Sequence, residues 1–248
     1  MASSEHVRMS GAQTGDSWWL QVIPTIVGLS AFGLYATLRA FEGAFYEWGP
    51  YLSPFYSPLI DAHHHYWPFS PALLILAGPL GFRVTCYYYR KAYYRAFFLD
   101  PAGCGVAERP GRRYSGETKF PFLLQNLHRY FMYLGIAFLV FLWRDAARGF
   151  FFESGFGVGV GSLVLLLNVT LLTLYLLSCH SLRHLVGGKL DCFSCVSFGH
   201  ARNTTWKGLS SLNGHHMLFA WISLFGVGFA DFYVRMVASG MIRDFRLL

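Results

Sequence analysis

Five apolar stretches, at 18–41, 70–90, 122–143, 157–184 and 213–241, constrain this chain more than any other feature. Each is long enough to cross the roughly 30 Å hydrocarbon layer of a bilayer, which takes about 20 helical residues. Lipid offers no partner to a bare peptide group, so a spanning segment of this kind satisfies its own backbone as a helix. The pattern predicts an all-α integral membrane protein, a five-transmembrane-helix bundle. Composition agrees: 54% of residues are hydrophobic and 13% charged, where a soluble domain carries about a quarter charged.

Residues 1–17 contain Glu5, His6, Arg8 and Asp16 but no short apolar run ending in a small-residue cleavage site. The first span is therefore expected to persist rather than to be removed as a signal. No internal repeat or low-complexity segment is visible, and 1–248 reads as a single membrane domain with a cysteine-bearing loop at 185–212.

The net charge of +7 does not point to nucleic acid, because the basic residues follow membrane topology. One set of loops carries Arg8, then Arg90, Lys91, Arg95, Arg109, Arg112, Arg113 and Lys119, then Arg183, Lys189, Arg202 and Lys207. The opposite side offers Arg39, Arg144, Arg148, Arg243 and Arg246, and the loop between the first two spans has no lysine or arginine. By the positive-inside rule the N-terminus is cytoplasmic and the C-terminus outside.

That topology gathers His128, His180, His184, Cys192, Cys195, His200, His215 and His216 at the cytoplasmic face. The run His63, His64 and His65 lies opposite and reads as interfacial. Within HSLRHLVGGKLDCFSC, residues 180–195, His180 and His184 stand one helical turn apart and share a face. Cys192 and Cys195 form a CxxC turn. Both spacings suit structural zinc. Two imidazoles and two thiolates also suit a Rieske-type [2Fe–2S] cluster, although the two-loop Cys/His pattern of soluble Rieske proteins is missing. A thiol–disulfide couple is a third reading, and an ordinary polar loop a fourth. Cys86 and Cys179, near helix ends, read as small apolar packing residues, and Cys104 is left without a role. One b-type haem held by two of His128, His180, His184, His215 and His216 stays open but leaves CxxC unexplained. A second haem is disfavoured, since the outer halves of four spans have no histidine.

The run GETKFPFLLQNLHRYFMY at 116–133, with the five spans and the HxxxH-to-CxxC segment, resembles the membrane-anchor subunit of bacterial succinate dehydrogenase, complex II. In particular it resembles the class whose single anchor carries a membrane-embedded Rieske-type [2Fe–2S] cluster and no haem. The likeness runs from the first span to the start of the fifth. It implies a multi-pass protein of the bacterial inner membrane, a flavoprotein subunit that oxidises succinate, an iron–sulfur subunit and a membrane quinone, menaquinone or ubiquinone. It favours the cluster over zinc, which has no accessible redox change, and implies His180 and His184 on one iron with Cys192 and Cys195 on the other. His128, His215 or His216 stays open as a replacement histidine.

Quinone contacts are expected among His128, Arg129, Tyr130, Trp206, His215 and His216, where interfacial anchoring is the competing role. The basic loop 90–119 is expected to bind headgroups and to dock the iron–sulfur subunit. A structural anchor with a zinc-stapled loop is the alternative class, separated by whether the chain holds a reducible centre.

Overall fold

The computed structural model describes residues 18–60, 70–99, 116–120, 122–188 and 190–248. Segment 1–17, His63, His64, His65, residues 100–115 of the basic loop with Cys104, and Lys189 lie outside the described residues.

The helices are α1 Ile23–Glu42, α2 Ala72–Val84, α3 Tyr87–Phe98, α4 His128–Arg148, α5 Val160–Leu177, α6 His180–Gly187, α7 Gly199–Asn213 and α8 His216–Ala238. Among the described residues four helical stretches are long and apolar enough to cross a membrane: Trp19–Glu42, Phe122–Arg148, Val160–Leu177 and His216–Ala238. The expected continuous span at 70–90 is instead divided. Its apolar part, α2, has 13 residues, about 20 Å at 1.5 Å per residue and short of the hydrocarbon thickness. The expected span at 157–184 likewise stops at Leu177 before α6 sets off. The cysteine-bearing loop is also partly helical, because α7 fills 199–213.

The two interruptions share a local pattern. Thr85 Oγ1 donates back to Gly81 O at 2.7 Å, and Ser178 Oγ donates back to Tyr175 O at 2.8 Å. Such back-bonds strain a helix only slightly and occur inside unbroken α5 at Thr170 and Thr173, so the break itself lies in the next residue. The following residues, Cys86 and Cys179, are extended at φ −65°, ψ 129° and φ −65°, ψ 133°. Each cysteine thus ends one helix and starts the next.

Helix α5 packs between α4 and α8, and α2 packs on α4. The last contact is close because Gly81 has no Cβ: one added there would fall into the Phe131 ring. The outward surfaces carry exposed Val27, Leu34 and Leu38 on α1 and Leu134 and Val140 on α4, as lipid contact requires. Arg90 pairs with Glu117 at 2.9 Å and so ties α3 to the start of the 116–133 run.

At the far end of the bundle, charges are buried in pairs. Asp231 on α8 accepts from Arg39 Nε at 2.8 Å, from Tyr35 at 2.5 Å and from Ser53 Oγ. Arg39 also pairs with Glu42, which Arg235 reaches at 3.1 Å. The short hairpins β1 Glu47–Trp48 with β2 Tyr51–Leu52, and β3 Phe151–Phe152 with β4 Gly155–Phe156, close this end. Asp244 accepts from Tyr51 at 2.7 Å and Tyr233 at 2.6 Å. Burial, with Asp244 beside it, pushes the Tyr51 phenol up to about 12, so it stays a donor.

Asp231→Asn removes one of the two carboxylates that pair with Arg39 and leaves Glu42 as the other. Leaving a buried charge with no partner costs about 3–5 kcal/mol, so with Glu42 in place the loss falls short of that. The thermal midpoint of the purified protein in detergent is expected to fall accordingly, and Arg39→Met with Asp231→Leu to recover much of the loss.

Candidate functional site

The two helix breaks and two helix starts meet at one end of the bundle. Helix α4 begins at His128 after the 3-10 turn Phe122–Leu127, and α8 begins at His216. Asn213 fastens the α8 start to the α5 break by donating to Ser178 O at 2.7 Å.

Each histidine is held the same way. His128 Nδ1 lies 3.0 Å from Thr85 Oγ1, and His216 Nδ1 lies 2.8 Å from Ser178 Oγ. Both hydroxyl protons are already committed to backbone carbonyls. The hydrogen-bond network therefore assigns the imidazole Nδ1–H as donor and leaves the Nε2 lone pair free. His128 stacks on Phe82 with centroids 4.9 Å apart, and His216 stacks on Tyr175 at 5.1 Å.

The free nitrogens face sulfur. His128 Nε2 is 3.3 Å from Cys179 Sγ, and His216 Nε2 is 3.4 Å from Cys86 Sγ. Both cysteines are unpaired thiols buried in one core cluster with Phe82, Tyr89, Met132, Tyr175 and Leu224. Imidazoles oriented through Nδ1 with Nε2 turned to thiols are the donor set of a soft-metal site. Among the described residues no three of His, Cys, Asp and Glu form a single-ion group. The four stand as two His–Cys pairs, His128 with Cys179 and His216 with Cys86.

The ligand set expected from spacing does not assemble. The His180 and His184 rings share a face, 6.4 Å apart. Cys192 and Cys195 instead form a disulfide with each other. His180 and Cys195 are exposed.

The surrounding loop is packed for structure: Trp206 contacts Phe193 at 6.0 Å and lies under Arg183 at 5.8 Å, while Arg202 Nη2 donates to Val186 O at 2.8 Å. Of the expected quinone contacts, His128 and His216 belong to the buried pairs and Trp206 to this loop. Tyr130 and His215 are exposed and Arg129 half-buried at the same end.

Cys86 and Cys179, expected as packing residues, do pack in the core, and each also has an imidazole nitrogen beside its sulfur. Their signal was present as TC at 85–86 and SC at 178–179, a hydroxyl followed by a cysteine where an apolar stretch ends.

The chain matches the family model described as actinobacterial succinate dehydrogenase subunit SdhC over residues 20–240. It is also similar to a chain of a solved structure, "Mycobacterium smegmatis Sdh1 complex in the apo form", with 44% identity and a TM-score of 0.85. That match covers 95% of this chain and 94% of the other. No curated protein matches the sequence.

Proposed function

The chain belongs to the actinobacterial succinate dehydrogenase SdhC family, and from that premise we propose that it passes electrons to a membrane quinone through a Rieske-type [2Fe–2S] centre held by Cys86, Cys179, His128 and His216. Family membership makes it a multi-pass membrane subunit of an oxidoreductase in the bacterial inner membrane. In this reading succinate is oxidised on a flavoprotein subunit and the electrons arrive through an iron–sulfur subunit.

The observation that carries the proposal is the pair of Nε2-to-sulfur contacts across the bundle. Two thiols and two imidazoles of fixed tautomer fit the donor chemistry of such a centre. When bound, it accepts one electron at a higher potential than an all-cysteine cluster, because neutral imidazoles replace two thiolate charges.

The chain's own residues prepare that site. Thr85 and Ser178 hold the Nδ1 protons and fix the ring planes, as the outer partners of metal-bound histidines do. Phe82 and Tyr175 cover the imidazole faces and keep water away. An apolar cavity of about 390 Å³ runs among α1, α2, α4 and α5, and its wall includes Phe82, Arg83 and Tyr175. It gives an apolar quinone ring room beside the site. The charge distribution favours a cytoplasmic N-terminus, which sets the site at the cytoplasmic face, where quinone reduction draws its protons. Arg129, Tyr130 and His215 lie at that end as contacts for the quinone or the headgroups.

Iron analysis with low-temperature EPR of the reduced, purified complex tests the assignment. A [2Fe–2S] signal of low average g is expected, lost in Cys86→Ser and in Cys179→Ser but kept when Cys192 and Cys195 are both changed to Ser. Loss only in the last variant would return the centre to the HxxxH–CxxC loop; zinc without this iron would leave a structural anchor. His216→Ala is expected to lower quinone reduction by more than tenfold while succinate oxidation with an artificial acceptor at the flavin persists.

A further inference from the structure

Arg83 lies in the last turn of α2, on the same break as Cys86. Its hydrogen bonds all go to neutral groups. Nη1 donates to Tyr89 Oη at 2.6 Å and to Ala220 O at 3.2 Å, and Nη2 donates to Ser223 Oγ at 3.0 Å. The guanidinium lies 4.7 Å over the Tyr175 ring and 5.5 Å over the Tyr89 ring.

An arginine keeps its charge in proteins, and a charge at membrane depth calls for a partner. Among the described residues no carboxylate lies within ion-pair reach of Arg83. Helices α2, α3, α5 and α6 contain no Asp or Glu. The carboxylate of α8, Asp231, is held by Arg39, and that of α4, Asp145, accepts from Ser57 at 2.6 Å.

One place nearby where negative charge can appear is the His–Cys site. The Tyr175 ring that Arg83 covers is the ring on which His216 stacks. Those separations, 4.7 and 5.1 Å, put the guanidinium within about 10 Å of the His216 ring, where a charge in low-dielectric surroundings is strongly felt.

We propose that Arg83 is the built-in counter-charge of the reduced centre, holding its midpoint potential up by balancing the electron that arrives there. The inference rests on the assignment of a [2Fe–2S] group to Cys86, Cys179, His128 and His216. Two ferric ions, two sulfides, two thiolates and two neutral imidazoles sum to zero, so one electron from the succinate-linked chain makes the group a monoanion. With Arg83 beside it, the reduced site is neutral as a whole. The matching position after Tyr175 in the other half is the neutral Leu176.

Potentiometric titration followed by EPR on the purified complex tests this. Arg83→Gln and Arg83→Met, neutral replacements of different polarity, are expected to keep the iron and the g values. Their midpoint is expected to fall by about tenfold or more in the one-electron equilibrium, 59 mV for each tenfold. Arg83→Lys is expected to stay near the wild type. An unchanged midpoint in either neutral variant with the signal intact overturns the proposal. So does a lysine variant that shifts as far as the neutral ones, which would make Arg83 a packing residue. A wild-type complex without the signal, or a signal that survives Cys86→Ser, overturns the assignment of the centre and this inference with it.

Discussion

The hydrogen bonds from His128 to Thr85 and from His216 to Ser178 are the contacts on which the buried site depends. A helix that stops inside or beside lipid strands polar groups that must find partners. Here the hydroxyl residue at the end of each helix also receives the imidazole proton, so one side chain sits at the break and uses it. Without the break, Cys86 and Cys179 would continue as ordinary helical positions. The hydroxyl acceptors help to define the tautomer of each imidazole.

The two halves of the site repeat one another. Phe82, Thr85 and Cys86, at the end of α2, correspond to Tyr175, Ser178 and Cys179, at the end of α5. Each histidine stacks on the aromatic ring and bonds the hydroxyl of one half. It then turns Nε2 to the cysteine of the other half. Crossed contacts of this kind clamp α2, α4, α5 and α8 together at a single point. The correspondence fails at the position after each aromatic, Arg83 against Leu176.

Hydropathy made the apolar helices legible, because lipid imposes length and composition on every span. It did not reveal where those helices stop: Thr85 and Ser178 are tolerated in apolar helices, and the extended backbone at Cys86 and Cys179 shows the break. Motif spacing was the weaker guide to the site. HxxxH and CxxC are local patterns, whereas the four facing donors lie at 86, 128, 179 and 216, on four separate segments. His128 and His216 were recognised as candidates from their place at helix starts. The cysteines were passed over, since a lone thiol near a helix end carries no pattern until its partner is seen across the bundle. The network around Asp231 was equally invisible, because its members, Tyr35, Arg39, Ser53 and Asp231, are drawn from widely separated positions.

The wide separation of the donors also orders the protein's biogenesis. The translocon releases spans in chain order, so Cys86 waits in the bilayer while α4 and α5 deliver His128 and Cys179, and the set is completed only when α8 brings His216. Until then the site presents at most three donors, in surroundings still open to lipid. Under the proposed assignment, loading with a metal group is therefore a late event that only a fully inserted chain supports.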